Sequence, residues 1–244
     1  MNKQFNTPST PKKPSGFFLY RTLLLKDLHH EMRTFDMISS MGLYSVVVLM
    51  VLGVVFSQVG TSFDISNIAA GLVWIMIVFA SLMGLGRAFA FEKEQGCIDG
   101  LLLAPMDRSI IYLAKLTSNL LFISAVEIIT LPLFYFLFLA TLEPPETFFF
   151  SLIPLTLGNI GIAAVGTLLS TITVNTRSKD ILLAVLFIPV VFPLLYACVS
   201  ATTVVATGVN DWESVFLIGV TLAAGYDVIM ALVSWLLYDY VIGA

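Results

Sequence analysis

Residues 37–58 read MISSMGLYSVVVLMVLGVVFSQ, a run of 22 residues that contains no charged side chain. About 20 apolar residues in a helix cross the roughly 30 Å hydrocarbon layer of a bilayer. The run is too long and too uniformly apolar for a barrel strand, in which lipid-facing and lumen-facing residues alternate. Backbone amides inside a bilayer must bond within the chain, so this stretch predicts a membrane-spanning helix.

Five further stretches of similar length and apolarity follow. The six predicted spans are about 37–58, 68–91, 116–140, 148–172, 181–206 and 215–238. The 244 residues are 58% hydrophobic and only 11% charged, which is more apolar surface than a soluble core can hide. The sequence therefore predicts an all-α integral membrane protein with six transmembrane helices, surrounded by membrane lipids.

The positive charges lie on one side of these spans. All 12 Lys and Arg residues either precede the first span or flank the second and fourth connections, and the connections at 59–67, 141–147 and 207–214 hold none. Lys and Arg near helix ends remain on the cytoplasmic side. We therefore expect a multi-pass protein with both termini in the cytoplasm.

Charge, cysteines and the N-terminal residues exclude other classes. A net charge of -4 shows no basic excess that would neutralise phosphates, so we expect no nucleic acid partner. Cys97 and Cys198 fall in a polar loop and an apolar stretch, which predicts no disulfide. Residues 1–16 are polar and predict a flexible leader, and the first apolar run begins too late and is too long for a cleaved signal peptide.

Ahead of the first span, residues 17–35 predict an amphipathic helix on the cytoplasmic membrane face. Its apolar positions recur at helical spacing, at 17, 20, 24, 28, 32 and 35. Such a helix is either an anchor that steers topology or a surface that grips a partner, and the sequence leaves both open.

The connection between the second and third spans reads EKEQGCIDGLLLAPMDR over residues 92–108. Apolar and polar residues within it recur at helical spacing, with glycine and proline at the ends. The residues that carry this pattern are Glu92, Glu94, Gly96, Ile98, Asp99, Gly100, Leu101, Leu102 and Pro105. A short amphipathic segment between two spans is a lever on which a partner could pull, and the alternative is a loop packed on its own protein.

At these residues the chain resembles a known family. FEKEQGCIDGLLLAP and DRSIIYLAKL, then EPPE, then NTRSKDILLAVLFIPVVFPLLYACVSAT resemble the membrane subunit of the haem exporter of cytochrome c maturation, the CcmB family. The resemblance covers about residues 17–240, and the polar leader is not a feature expected of that family.

The resemblance implies a type-2 ABC transporter permease in the bacterial inner membrane, with two copies in each complex. Its partners would be a separate ABC ATPase subunit that binds ATP and Mg, a haem-handling membrane subunit and a small membrane subunit. No lysine here completes G-x-x-x-x-G-K-[ST], in agreement with ATP hydrolysis on another chain. The ATPase-coupling helix of such permeases corresponds here to about Glu92 to Pro105.

The residues predict no catalytic centre and no metal site. Haem iron prefers His, Cys, Met or Tyr ligands, and the only histidines, His29 and His30, fall on the predicted surface helix. Two adjacent histidines on a polar helix face are typical of solvated residues. We therefore expect no directly bound cofactor, and haem as a cargo whose iron is ligated by partners.

Glu127 and Asp227 lie within apolar spans, where a carboxylate costs on the order of 3 kcal/mol by insertion scales. They fall about eleven and twelve residues into spans of opposite direction, which places both near the midplane. They are either a polar element of a substrate or gating path, or carboxyls bonded between helices. In neither case should they face lipid.

Proline and small residues mark two other spans. Pro189 and Pro193 each remove a helix hydrogen bond from the fifth span and predict a kink. The small residues of GNIGIAAVGTLLS, residues 158–170, predict close packing of the fourth span against another helix.

The sequence thus predicts a permease subunit that exports haem, or drives release of a haem-loaded chaperone, through an associated ATPase. One alternative is a type-2 ABC permease for another lipophilic cargo. The other is a proton-coupled secondary transporter using Glu127 and Asp227, against which the lack of a visible inverted repeat weighs.

Overall fold

The computed structural model describes residues 15–59, 66–89, 93, 96, 107–139, 146–208 and 211–241. Within these ranges the chain forms seven α-helices and no strand. They are α1 Gly16–Thr34, α2 Asp36–Val59, α3 Ser66–Leu85, α4 Arg108–Phe134, α5 Leu152–Thr173, α6 Lys179–Thr207 and α7 Trp212–Val241. A π-helix, Tyr135–Leu139, extends α4, and a 3-10 helix, Glu146–Ser151, leads into α5. Six helices are long and apolar enough to cross a membrane, which confirms the predicted class.

The start of α4 and the end of α3 differ clearly from the predicted spans. α4 begins at Arg108, before the predicted residue 116, and α3 ends at Leu85, before residue 91. Hydropathy places the first boundary too late because Arg108 and Lys115 interrupt the apolar pattern while the helical backbone continues through them. Lys115 is buried and ion-paired, so its charge does not prevent the helix from extending.

α5 is the central helix of the bundle and packs against α3, α4, α6 and α7. Three of its glycines allow this close approach. A Cβ atom would lie 2.1 Å from the Trp74 ring at Gly158, 2.3 Å from Asp227 at Gly161 and 2.3 Å from Leu85 at Gly166. The close packing predicted for this stretch is therefore confirmed.

α1 occupies the region of the predicted amphipathic helix, and the stripe of apolar residues expected to face the membrane stays a prediction. Phe17, Met32 and Phe35 from that stripe are exposed, whereas Asp27 and Glu31 are buried. Asp27 faces inward because α1 packs against α4, which supplies Lys115 as its partner. The exposed apolar residues of α1 lie on the surface of the helix bundle.

The connection between α1 and α2 is a sharp turn held by Glu31. Phe35 adopts a left-handed conformation with φ 54°, and its N–H donates to the Glu31 carbonyl at 2.7 Å. The Glu31 carboxylate accepts from the Ile38 N–H at 2.8 Å. It thereby satisfies one of the backbone donors that the first turn of a helix leaves unpaired.

The helices run up and down between two ends. At one end, called here the basic end, Lys93 donates to the Val174 carbonyl, and Arg108 donates to the Asp239 carbonyl at 2.7 Å. At the other end Thr147 donates to the Val205 carbonyl at 2.8 Å. These contacts join helix ends in the order that six antiparallel spans require.

Candidate functional site

The predicted coupling loop lies almost entirely outside the described residues. Glu92, Glu94, Asp99, Leu101, Leu102 and Pro105 are outside them, and their coupling role stays a prediction. Gly96 is described and has φ 63°, a left-handed conformation that glycine adopts at no steric cost. Its N–H donates to the Lys93 carbonyl at 3.1 Å, so the chain turns there.

Beside this turn an open groove of about 680 Å³ lies at the basic end. Lys93 lines one part of it, and Arg177, Lys179 and Asp180, at and near the start of α6, line another. Three of these four side chains are cationic, which gives the groove a positive charge. The groove joins the two connections in which the sequence places most of the positive charges that follow the first span.

A buried ion pair lies next to the same end. Lys115 Nζ is 3.1 Å from Asp27 Oδ2, and the two side chains are 8% and 9% exposed. Lys115 also donates to the Ala88 carbonyl at 3.2 Å and lies 5.0 Å from the centre of the Phe89 ring. Ser118 donates to Asp27 at 3.4 Å. The pair therefore joins α1, α4 and the turn after α3, where the predicted coupling connection begins.

Glu127 is buried between α4 and α5. It is 7% exposed, and its Oε2 accepts a hydrogen bond from Asn159 Nδ2 at 2.6 Å. Its other carboxyl oxygen, Oε1, has no hydrogen-bond partner among the described residues. Glu127 is thus turned toward protein, as the cost of an acid against lipid requires.

Asp227 of α7 is also buried, at 6% exposed. It lies against α5 at Gly161, where a methyl group would come within 2.3 Å of Oδ1 and 2.4 Å of Leu194. Neither carboxyl oxygen has a hydrogen-bond partner in the ranges that the structure covers. The absence of a side chain at Gly161 makes the space that this carboxyl occupies.

The two acids meet α5 at residues only two apart, Asn159 and Gly161. Each residue of an α-helix turns about 100°, so these positions lie on nearly opposite sides of α5. The acids therefore lie at one level of the bundle with α5 between them, and they do not form a carboxyl pair. A proton path that used both would have to pass this tightly packed helix.

Pro189 and Pro193 both lie inside α6, which remains helical from Lys179 to Thr207. The Tyr226 hydroxyl of α7 donates to the Val190 carbonyl at 2.7 Å, one residue after the first proline. A proline has no N–H to donate to the carbonyl four residues before it, so that carbonyl lacks its usual helical donor. A kink at this pair stays a prediction.

The sequence analysis did not single out Asn159, Asp27 or Lys115. A lone asparagine within the apolar run GNIG was a usable signal, because a buried amide requires a partner. For the ion pair no local signal existed, since its members come from different helices.

The described residues contain no group of three or more His, Cys, Asp and Glu side chains that could hold a metal ion. His29 is exposed and His30 is half-buried, both on α1. The Asp27–Lys115 pair and Glu127 join helices to one another, and Lys93, Arg177 and Lys179 line a groove at one end.

These features define a multi-pass, all-α membrane protein. Comparison with known proteins gives the family. The sequence-family model described as CcmB protein matches residues 18–234. The chain belongs to the CcmB family.

Three curated relatives are similar to the chain. Heme exporter protein B of Rhodobacter capsulatus is 28% identical over 176 residues, which cover 72% of this chain and 78% of the relative. The protein of the same name from Paracoccus denitrificans is 28% identical, covering 65% and 72%. That from Pseudomonas aeruginosa is 28% identical, covering 54% and 57%.

Proposed function

We propose that this chain is the membrane permease subunit of a haem export system for cytochrome c maturation. The observation that carries the proposal is the family match over residues 18–234, together with relatives named heme exporter protein B. In the part of the chain that the structure describes, six helices are long and apolar enough to cross a membrane, which agrees with it. A permease for another lipophilic cargo and a proton-coupled transporter are not favoured by this match.

The chain acts in this proposal without catalysing a reaction itself. A separate ABC ATPase subunit hydrolyses ATP with Mg, a haem-handling membrane subunit and a small membrane subunit complete the assembly, and two copies of the permease are present. The positive groove lined by Lys93, Arg177 and Lys179 lies beside the start of the predicted coupling connection. It supports contact with an ATPase at this end.

The proposal places the protein in the bacterial inner membrane with the basic end in the cytoplasm. The concentration of Lys and Arg at that end supports this orientation. The end of α7 then lies on the cytoplasmic side, since Arg108 of α4 contacts Asp239 of α7 there. α1 lies on the same side, since its Asp27 pairs with Lys115 near the start of α4.

Deleting the gene should abolish covalent c-type cytochromes while b-type cytochromes persist. Covalent attachment requires haem delivered outside the cytoplasm, whereas b-type haem is bound without that route. Haem staining of membrane proteins, with a plasmid copy of the gene as the control, measures this. Normal c-type staining in the deletion strain would contradict the proposed cargo.

The two cysteines test the orientation and the coupling loop together. Cys198 is fully buried within α6, so Cys97 should be the only thiol that a poorly permeant maleimide labels. We expect labelling in inverted vesicles, none in intact spheroplasts, and protection when the ATPase subunit is added.

A pair of variants controls this experiment. Leu102→Asp should weaken binding of the ATPase, because a charge enters an apolar contact without a partner. Thr147→Asp, at the opposite end, should leave binding unchanged. Labelling from the periplasmic side would reverse the orientation, and equal labelling with and without the ATPase would show that the loop packs only on its own protein.

A further inference from the structure

A small internal cavity of about 10 Å³ lies among α2, α3 and α4 beside Glu127. Six of the ten residues that line it are apolar. The other four carry oxygen atoms: Ser45 of α2, Ser81 of α3, and Glu127 and Thr130 of α4. Oxygen-bearing side chains from three helices therefore meet at one point inside a membrane-spanning bundle.

Two of these side chains have an atom without a hydrogen-bond partner among the described residues. They are Ser81 Oγ, on a residue that is 0% exposed, and Glu127 Oε1, on a residue that is 7% exposed. A buried polar atom without a partner costs about 1–3 kcal/mol. Buried polar groups therefore nearly always find a protein or water partner.

The other two hydroxyls already donate. Ser45 donates to the Met41 carbonyl at 2.9 Å, and Thr130 donates to the Val126 carbonyl at 3.0 Å, each within its own helix. Their hydroxyl oxygens retain lone pairs and can accept a hydrogen bond. The lining thus offers acceptors at all four residues and a donor at Ser81.

We propose that this cavity binds one structural water molecule that bridges Glu127 Oε1 and Ser81 Oγ. To hold a water, a cavity needs about 10–15 Å³ of space open to the centre of a water molecule, and two to four polar partners. This cavity lies at the lower end of that range and has four polar side chains in its lining. The water donates to the carboxyl oxygen, and Ser81 donates to the water. The second O–H of the water donates to the hydroxyl oxygen of Ser45 or of Thr130 in alternation.

A metal cation fits the same lining less well. The four side chains supply too few oxygens for the six to eight ligands that calcium takes, and the volume leaves no space for accompanying waters. Sodium remains the closest competitor, because it would also be held by oxygen atoms. The experiment below includes it as a separate arm.

The bound water extends an existing polar contact across the bundle. Asn159 of α5 donates to Oε2 of the same carboxyl, so water at Oε1 links α2, α3, α4 and α5 through one side chain. α3 and α4 are the helices on either side of the predicted coupling connection. The water therefore sets the spacing of these two helices below that connection, whatever cargo the protein carries.

The test uses the purified full-length chain in lipid nanodiscs. Ser81→Ala should lower the melting temperature by about 2–4 °C, the range expected when one hydrogen-bonded contact is lost from a chain of this size. It should also move the infrared carboxyl band of Glu127, identified as the band that Glu127→Gln removes. The matched control is Ser170→Ala, a buried hydroxyl that donates within α5 at 3.0 Å and lies outside this cavity.

A high-resolution map should show one density peak within hydrogen-bond distance of both Glu127 Oε1 and Ser81 Oγ. Replacing sodium with choline should leave the melting temperature and the band unchanged. A direct contact between the hydroxyl and the carboxyl with no peak between them, or an unmoved band in Ser81→Ala, overturns the proposal. A shift on removing sodium overturns it in favour of a cation site.

Discussion

Replacing Lys115 with methionine is expected to lower the free energy of unfolding by about 3–5 kcal/mol, the usual cost of removing one member of a buried ion pair. The change leaves the Asp27 carboxylate buried at 9% exposure without the ammonium group that lies 3.1 Å from it. Lys26 still approaches the other carboxyl oxygen at 3.1 Å, but its side chain is 43% exposed. Solvent weakens that second contact, so it cannot replace the first.

Two variants make this prediction specific. Lys26→Met removes a cation from the same carboxylate at its exposed side and should cost less than about 1 kcal/mol. The double variant Lys115→Met with Asp27→Leu should recover most of the loss, because an apolar pair leaves no unpaired charge. Denaturant titration in mixed micelles measures all three. Equal losses in Lys115→Met and the double variant would show that the packing of the lysine stem, not its charge, matters.

Replacing Gly158 with valine should prevent the bundle from assembling. Even the first added carbon would lie 2.1 Å from the Trp74 ring. That ring cannot move aside easily, because it is 1% exposed and its Nε1 donates to Thr202 of α6 at 3.1 Å. A clash here therefore separates α3 from both α5 and α6. Overpacking commonly costs about 1–3 kcal/mol, and we expect Gly158→Ala near the upper end, with Gly158→Val beyond it.

Gly71→Ala is the matched control, since Gly71 lies in α3 with Trp74 and nothing approaches within 4 Å of an added Cβ. That variant should keep or slightly raise stability, because alanine favours a helix by up to about 1 kcal/mol over glycine. The yield of monodisperse protein in detergent, followed by the melting temperature, compares the variants. Wild-type behaviour of Gly158→Val would mean that α3 does not pack against α5 as described.

The sequence by itself determined the class of this protein and the number of its membrane-crossing helices. A span is recognised from the length of an apolar run measured against the bilayer, which is a local property. The close packing of α5 could also be predicted from its glycines, because small residues let helices approach closely wherever they pack. The resemblance in the second connection and in α6 pointed to the family that the comparison then showed.

Only the tertiary structure decided which faces meet. Asp27 pairs with Lys115 of another helix, and Glu127 accepts a hydrogen bond from Asn159. α5 separates Glu127 from Asp227. Lipid tails are as apolar as the side chains of a helix interface, so hydropathy does not show how a spanning helix is rotated. The ion pair with Lys115 turns Asp27 of α1 toward the protein, and the apolar stripe of this helix did not show that contact. The partners of a polar residue in a membrane helix are set by this rotation and by the antiparallel register of neighbouring helices, neither of which is a property of one segment alone.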